Sequence, residues 1–259
     1  MKFDSWGFVG AGRITRIFLE AFHKAGLLPG KVIVSDTNAE TLNALKSRFP
    51  FIEINLGDNS APVKADIIFL SLHPPIINDF LKSVRNEINP ASILVSLAPK
   101  FSIGKISEGL EGFNRIVRMI PNAPSIIGKG YNPVCFSGGI QPSEKEALLD
   151  LFSALGESPE KEENKLEGYA ILTAMGPTYF WFQLSELQTL ASSFGLEQDD
   201  IKCGIFEMMN GTIETFYNSG LTPAQVMDLV PVRPLGDKEN EIKEMYRTAL
   251  TQVYGRIKP

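Results

Sequence analysis

The stretch Trp6-Gly7-Phe8-Val9-Gly10-Ala11-Gly12-Arg13-Ile14-Thr15 constrains the fold most, because an apolar strand pattern turns on two glycines and runs straight into an amphipathic helix. The helix is legible from spacing: Ile14, Ile17, Phe18, Ala21, Phe22 and Ala25 form one apolar stripe at helical period, and Gly26 stops it. A strand that turns on Gly10 and Gly12 brings backbone N–H groups and a helix N-terminus to one point, where the partial positive charge suits a pyrophosphate. Gly10, Ala11, Gly12, Arg13 and Ile14 are therefore the expected phosphate cradle. Thr15 stands in place of the third glycine of the full fingerprint, at some expense in helix–strand closeness. The bland alternative is a strand–turn–helix that binds nothing.

Context favours the cradle. Val32-Ile33-Val34-Ser35-Asp36 supplies a second strand ending in an acid at the distance where such folds bind an adenosine ribose. A carboxylate there accepts from ribose hydroxyls and repels a 2′-phosphate, which favours NAD over NADP; Arg13 is the nearest cation that could answer a 2′-phosphate.

The alternation then continues. Ala39–Arg48 reads as a helix, 51–54 as a short strand, and 65–72 as a near-continuous apolar run of the kind found in central parallel strands. His73-Pro74-Pro75 breaks that run and launches a helix carrying Ile76, Ile77, Phe80, Leu81 and Val84. Strands at 92–98 and 115–120, a helix over 103–110, a further strand at 133–137 and a helix over 143–155 complete a doubly wound α/β sheet. Ligands of such sheets bind beyond the carboxyl ends of the strands, which places Ser71, Leu72, His73, Pro74 and Ala98 beside the dinucleotide. His73 is either a donor to the ligand or a loop histidine filling a groove. Asn122 is held in a stiff turn between Pro121 and Pro124, at another strand end.

A polar, charged run from Glu157 to Lys165 reads as the boundary between a first domain, 1–157, and a second, 165–259. Beyond it strand patterns cease and helical ones follow over 166–194, 198–217, 223–229 and 238–254. Phe180, Leu184, Leu187, Leu190 and Ala191 give the first of these helices more apolar surface than a lone chain comfortably exposes, so a second copy is expected against it.

Composition excludes several classes. The 259 residues carry a net charge of −5 with no basic cluster, which argues against nucleic acid. No apolar run reaches the roughly 18 residues of a membrane span, and Asp4 interrupts the place of a secretory core, so a cytoplasmic protein is expected. Cys135 and Cys203 have no metal-ligand spacing and read as buried, reduced thiols, with a disulfide as the alternative; no metal is expected.

Several of these segments together resemble the pyrroline-5-carboxylate reductase family. Gly7 to Gly12 is similar to that family's opening, Ala65 to Pro74 to its fourth strand, and Arg118-Met119-Ile120-Pro121-Asn122-Ala123-Pro124 to its Arg-x-Met-Pro-Asn-Thr-Pro block with one spacing adjustment. Thr173-Ala174-Met175-Gly176-Pro177-Thr178-Tyr179 resembles its Ser-Gly-Ser-Gly-Pro-Ala-Tyr, keeping Gly176, Pro177 and Tyr179. The resemblance implies an N-terminal Rossmann domain, an all-helical C-terminal dimerisation domain, a nicotinamide cofactor (NAD or NADP) and hydride transfer to a small cyclic imine. It places Asn122 and Thr173 at the reacting end. Where the family carries Pro-Gly-Gly-Thr-Thr to hold the substrate carboxylate, this chain reads Leu229 to Asp237, within which Arg233 could form two parallel hydrogen bonds to a carboxylate. The other reading is a non-catalytic dinucleotide-binding dimer that has lost its substrate loop.

Overall fold

Strands covered by helices on both faces must be apolar on both faces, and the central strands here are. In a computed structural model that describes residues 3–258, leaving the ends of the expected domains at 1, 2 and 259 outside, the alternation is realised in order. β1 (Ser5–Val9), α1 (Arg13–Lys24), β2 (Lys31–Asp36), α2 (Ala39–Arg48), β3 (Glu53–Leu56), β4 (Ile67–Leu70) and α3 (Pro74–Val84) come first. β5 (Ile93–Ser96), α4 (Ile103–Gly109), β6 (Ile116–Met119), β7 (Gly130–Tyr131), β8 (Val134–Phe136), α5 (Pro142–Phe152) and β9 (Gly156–Glu157) follow. Seven strands form one sheet in the order β3-β2-β1-β4-β5-β6-β8, parallel throughout except β8, which runs antiparallel to β6. The strand order reverses between β1 and β4, and that switch point is where a crevice opens at the carboxyl edge.

One face of the sheet is aromatic. Phe8 and Phe69 are register partners whose rings stack with centroids 4.6 Å apart, Trp6 and Phe18 meet Phe69 edge-on, and Phe22 in turn meets Trp6 and Phe18 edge-on. Burying each such side chain stabilises by roughly 2–3 kcal/mol, so this cluster anchors β1 and α1, the two elements that carry the cradle. The other face packs Val9, Ile68 and Leu70 against Ile77, Phe80 and Leu81 of α3.

The chain divides into two compact units, one running up to Met175 together with the stretch from Val253, the other Gly176–Gln252. The division lies later than the charged run at 157–165. That run is no linker, because Glu163 pairs with the buried Arg118 of β6 and Glu160 bridges to Val134. The expected helix over 166–194 is broken: α6 (Leu166–Tyr169) passes into a π-turn at Ala170–Ala174, where the Met175 N–H donates to the Ala170 carbonyl, before α7 (Pro177–Ser193) starts on a proline. The second unit is all-helical, with α7, α8 (Gln198–Asn218), α9 (Pro223–Met227) and most of α10 (Glu239–Ile257). Both cysteines are free; Cys135 is half-buried, and Cys203, expected inside, is exposed on α8 because that helix keeps only Ile201 buried. No helix among the described residues is long and apolar enough to cross a membrane, and no cluster of metal-ligating side chains occurs among them.

Candidate functional site

The cradle is built by backbone constraints at Gly10. Its φ is +101°, its N–H donates to the Ser35 carbonyl at 2.8 Å, and a Cβ there would lie 2.7 Å from the Ser71 carbonyl oxygen. Only glycine lets β1 turn this closely against the end of β4. Gly12, at the start of α1, has open space where a Cβ would stand, and α1 has neither a side-chain cap nor an acid in its first turn. The positive end of that helix is thus left for an anion. Thr15 is fully buried and its hydroxyl donates to the Gly10 carbonyl at 2.6 Å. Its place in the fingerprint therefore fixes the loop rather than loosening it.

Asp36, at the end of β2, is half-buried, and both its oxygens accept backbone N–H groups, from Ala11 at 2.7 Å and from Asn38 at 2.8 Å. The acid is locked to the cradle across 25 positions of sequence. A cavity of about 730 Å³ opens at the cradle, lined by Gly12, Arg13, Arg16, Arg48, Ser71 and His73 among others; Asp36 itself does not line it. That volume is in the range of ligand sites. Arg13 and Arg16 are exposed, whereas Arg48 is held by Glu20 at 2.8 Å, and that hydrogen bond lowers the Glu20 carboxyl pKa. Arg16 and Arg48 were not singled out in the sequence; the position of Arg16 one turn into α1 was the signal for it, while nothing local pointed to Arg48.

Along the carboxyl edge, the Ser71 hydroxyl is buried without a hydrogen-bond partner among the described residues. Leu72 is half-buried against the cradle, His73 is exposed at the N-cap of α3, and Pro74 opens that helix. Ile14 lines the cavity and Ala98 is buried past the end of β5. Asn122 is 5% exposed; its N–H donates to the Asn132 side-chain oxygen at 2.8 Å and its amide nitrogen to the Thr173 carbonyl. A carbonyl only accepts, so the Asn122 amino group must face Thr173, and its Oδ1 is left buried with no partner among the described residues. Asn132, fully buried and also accepting from Ser125 at 3.0 Å, fixes this turn; the sequence reading passed over it. The Thr173 hydroxyl donates to the Tyr169 carbonyl at 2.9 Å, one turn back in its own helix, so what Thr173 offers Asn122 is its backbone.

Arg118 is fully buried in β6 and pairs with Glu163 at 3.0 Å and Glu167 at 2.6 Å. The Glu163 carboxylate also accepts the Ile103 N–H at 2.6 Å, tying the start of α4 to the same pair. Arg233 lies in the other unit, where its guanidinium pairs with Glu239, a carboxylate shared with Lys243 and held at lowered pKa first by Lys243. Its charge is answered locally rather than offered to an incoming carboxylate.

The cradle, the orphaned Ser71 and Asn122 oxygens and the cavity fit a nicotinamide dinucleotide. Comparison with known proteins agrees. The family described as "NADP oxidoreductase coenzyme F420-dependent" matches residues 5–100. A pyrroline-5-carboxylate reductase of Corynebacterium melassecola is 23% identical over 252 residues, covering 96% of this chain and 92% of its own. Among solved structures, the Plasmodium falciparum pyrroline carboxylate reductase with NADP bound aligns with a TM-score of 0.82 at 20% identity, covering 99% and 97% of the two chains. The Coxiella burnetii pyrroline-5-carboxylate reductase aligns at 0.73 and 22% identity, over 100% and 98%. Over nearly its whole length the chain is similar in sequence to pyrroline-5-carboxylate reductases, and it shares their fold.

Proposed function

We propose that the protein reduces a small cyclic imine of the 1-pyrroline-5-carboxylate class with a nicotinamide dinucleotide, and that it works as a homodimer through its helical unit. The observation that carries the reading is the Gly10 turn against Ser71, which joins the phosphate cradle to a carboxyl edge bearing the unpaired Asn122 oxygen. Gly10 to Ile14 hold the pyrophosphate, Asp36 the adenosine ribose, and Ser71 to Pro74 with Ala98 wall the crevice. When bound, the nicotinamide supplies the hydride, and a protonated C=N is already electrophilic, so positioning matters more than side-chain acid chemistry. Asn122 Oδ1 accepts the N–H of the protonated imine, which favours the charged, reactive form over the neutral one. That hydrogen survives as the amine proton of the product.

NADH is the favoured donor. Asp36 is fixed by two backbone bonds where a 2′-phosphate would approach, and the cations that could offset it are exposed in the case of Arg13 and Arg16 or already neutralised by Glu20 in the case of Arg48. The dimer is supported by α7, in which Phe180, Trp181, Phe182 and Leu190 are all exposed and no residue is buried.

Fluorescence titration with NADH and NADPH, followed by turnover of 1-pyrroline-5-carboxylate, tests this reading. Tight NADH binding with turnover is expected. Binding without turnover of any cyclic imine would return the protein to a non-catalytic dinucleotide carrier, and no binding of either nucleotide would end both ideas.

A further inference from the structure

Two residues other than glycine hold a left-handed backbone among the described residues, Lys100 at φ +76° and Glu111 at φ +53°. Glu111 lies in an exposed turn beside Gly112 and pairs with Arg85 at the surface, a setting that asks for no ligand. Lys100 is different. It occupies the second place of the Pro99–Lys100 turn just beyond β5, a position where a positive φ normally selects glycine or asparagine after a proline. A lysine there is strained, and the strain is held in place from below. The Lys100 N–H donates at 3.2 Å to Glu167, whose carboxylate is itself locked by the buried Arg118. Ser102 caps α4 and Glu163 takes the Ile103 N–H, so the loop is fixed on its other side as well. Strain that the surroundings over-determine is characteristic of sites where a side chain has a task.

The position suits one. β5 adjoins β4 in register, Leu70 against Ser96, and the Leu97 N–H continues the ladder to Leu70. The cradle and Asp36 occupy the β1–β3 half of the sheet, so the β4–β6 half, with Lys100 and Asn122 at its carboxyl edge, faces the reacting mononucleotide. Lys100 is exposed, and its ammonium makes no ion pair with any described residue.

We propose that Lys100 is the cation that binds the carboxylate of the imine substrate, in place of Arg233, whose guanidinium is occupied by Glu239. This rests on the cyclic-imine reading above and assigns the residue that recognises the carboxylate of such an imine. The left-handed turn fixes the direction in which the side chain leaves the loop. The buried Arg118–Glu167 pair is the brace that keeps it there.

The test compares 1-pyrroline-5-carboxylate with 1-pyrroline, which lacks the carboxylate. In Lys100→Met the ratio of kcat/KM for the carboxylated over the plain imine is expected to fall about 10- to 100-fold, the worth of one charge-assisted hydrogen bond, and Lys100→Arg to recover most of it. Lys100→Gly loses the same discrimination yet melts about 2–4 °C higher, because the backbone strain is relieved. An unchanged ratio in both Lys100→Met and Lys100→Gly overturns the proposal. If the wild-type protein reduces neither imine, the imine reading fails by itself, and Lys100 is judged by binding in the presence of NAD. A melting-temperature rise with L-proline but not with pyrrolidine, lost in Lys100→Met, keeps Lys100 as a carboxylate site. Equal responses of wild type and Lys100→Met remove it.

Discussion

At Asp36 a carboxylate closes the cradle through the Ala11 N–H, and in the proposed reading it also presents negative charge to the adenosine ribose. Removing the charge while keeping the shape separates the two roles. Asp36→Asn is expected to tighten NADPH about tenfold relative to NADH, since the repulsion opposing a 2′-phosphate is gone; the ratio of dissociation constants from fluorescence titration is the readout. Gly10→Ala meets a harder obstacle, a carbonyl at 2.7 Å and a φ that alanine avoids. It should destabilise by about 2–4 kcal/mol and abolish dinucleotide binding even below its lowered melting temperature. Asn122→Ala removes the proposed acceptor for the iminium; kcat/KM should fall about 10- to 100-fold with the NADH dissociation constant preserved, and the alkaline limb of the rate profile should move to lower pH. The glycines and Asp36 were readable in the sequence because turn chemistry and strand ends leave local signals. The Asp36–Ala11 bond and the orphaned Asn122 oxygen were not, because each depends on a partner brought from a distant segment.

Among the elements, β6 and its acidic partners show where pattern reading ends. Hydrophobic periodicity found the strands of the large sheet within a residue or two, yet it carries no information on direction, and β8 proved antiparallel to β6. Charge patterning put a domain boundary at 157–165, because a run of glutamates reads as solvated unless the buried arginine that receives it is known. Glu167→Gln leaves Arg118 short of one charge inside the protein and should destabilise by about 3–5 kcal/mol, seen in chemical denaturation. A second pair has a pH signature. Glu144 is buried, which raises its carboxyl pKa, but hydrogen bonds from Arg115 at 2.5 Å and from the Gln141 N–H outweigh this and leave it below 4.5. Its folded pKa being depressed, the stability it contributes is present above pH 4.5 and is lost as pH falls through the lower folded value. Glu144→Gln should therefore flatten the acid limb of the melting-temperature profile.

For the molecule as a whole, the helical unit lacks what the sheet unit has. Its helices α7, α9 and α10 bury no residue and α8 buries only Ile201, so its apolar side chains await another surface. If that surface is a second copy, the melting temperature rises with protein concentration, and Trp181→Glu with Phe182→Glu should yield a monomer by sedimentation. An excess of exposed apolar positions on α7 was visible from spacing alone. What spacing could not show was that the last turn of the chain rejoins the sheet unit, where Ile257 packs with Ile120, Leu166 and Ala170.

That return makes the helical unit an insertion rather than a tail. Its two ends are both moored in the sheet unit, so a single protease cut inside it would release no fragment from the folded protein. It also gives Asp4 and Ile257 different addresses. Asp4 is bonded to Asp66 ahead of β4, on the edge away from the cradle, whereas Ile257 lies against Ile120, two residues from Asn122. A fluorophore placed at Asp4 would leave the proposed reacting edge untouched, and one placed at Ile257 would report on it.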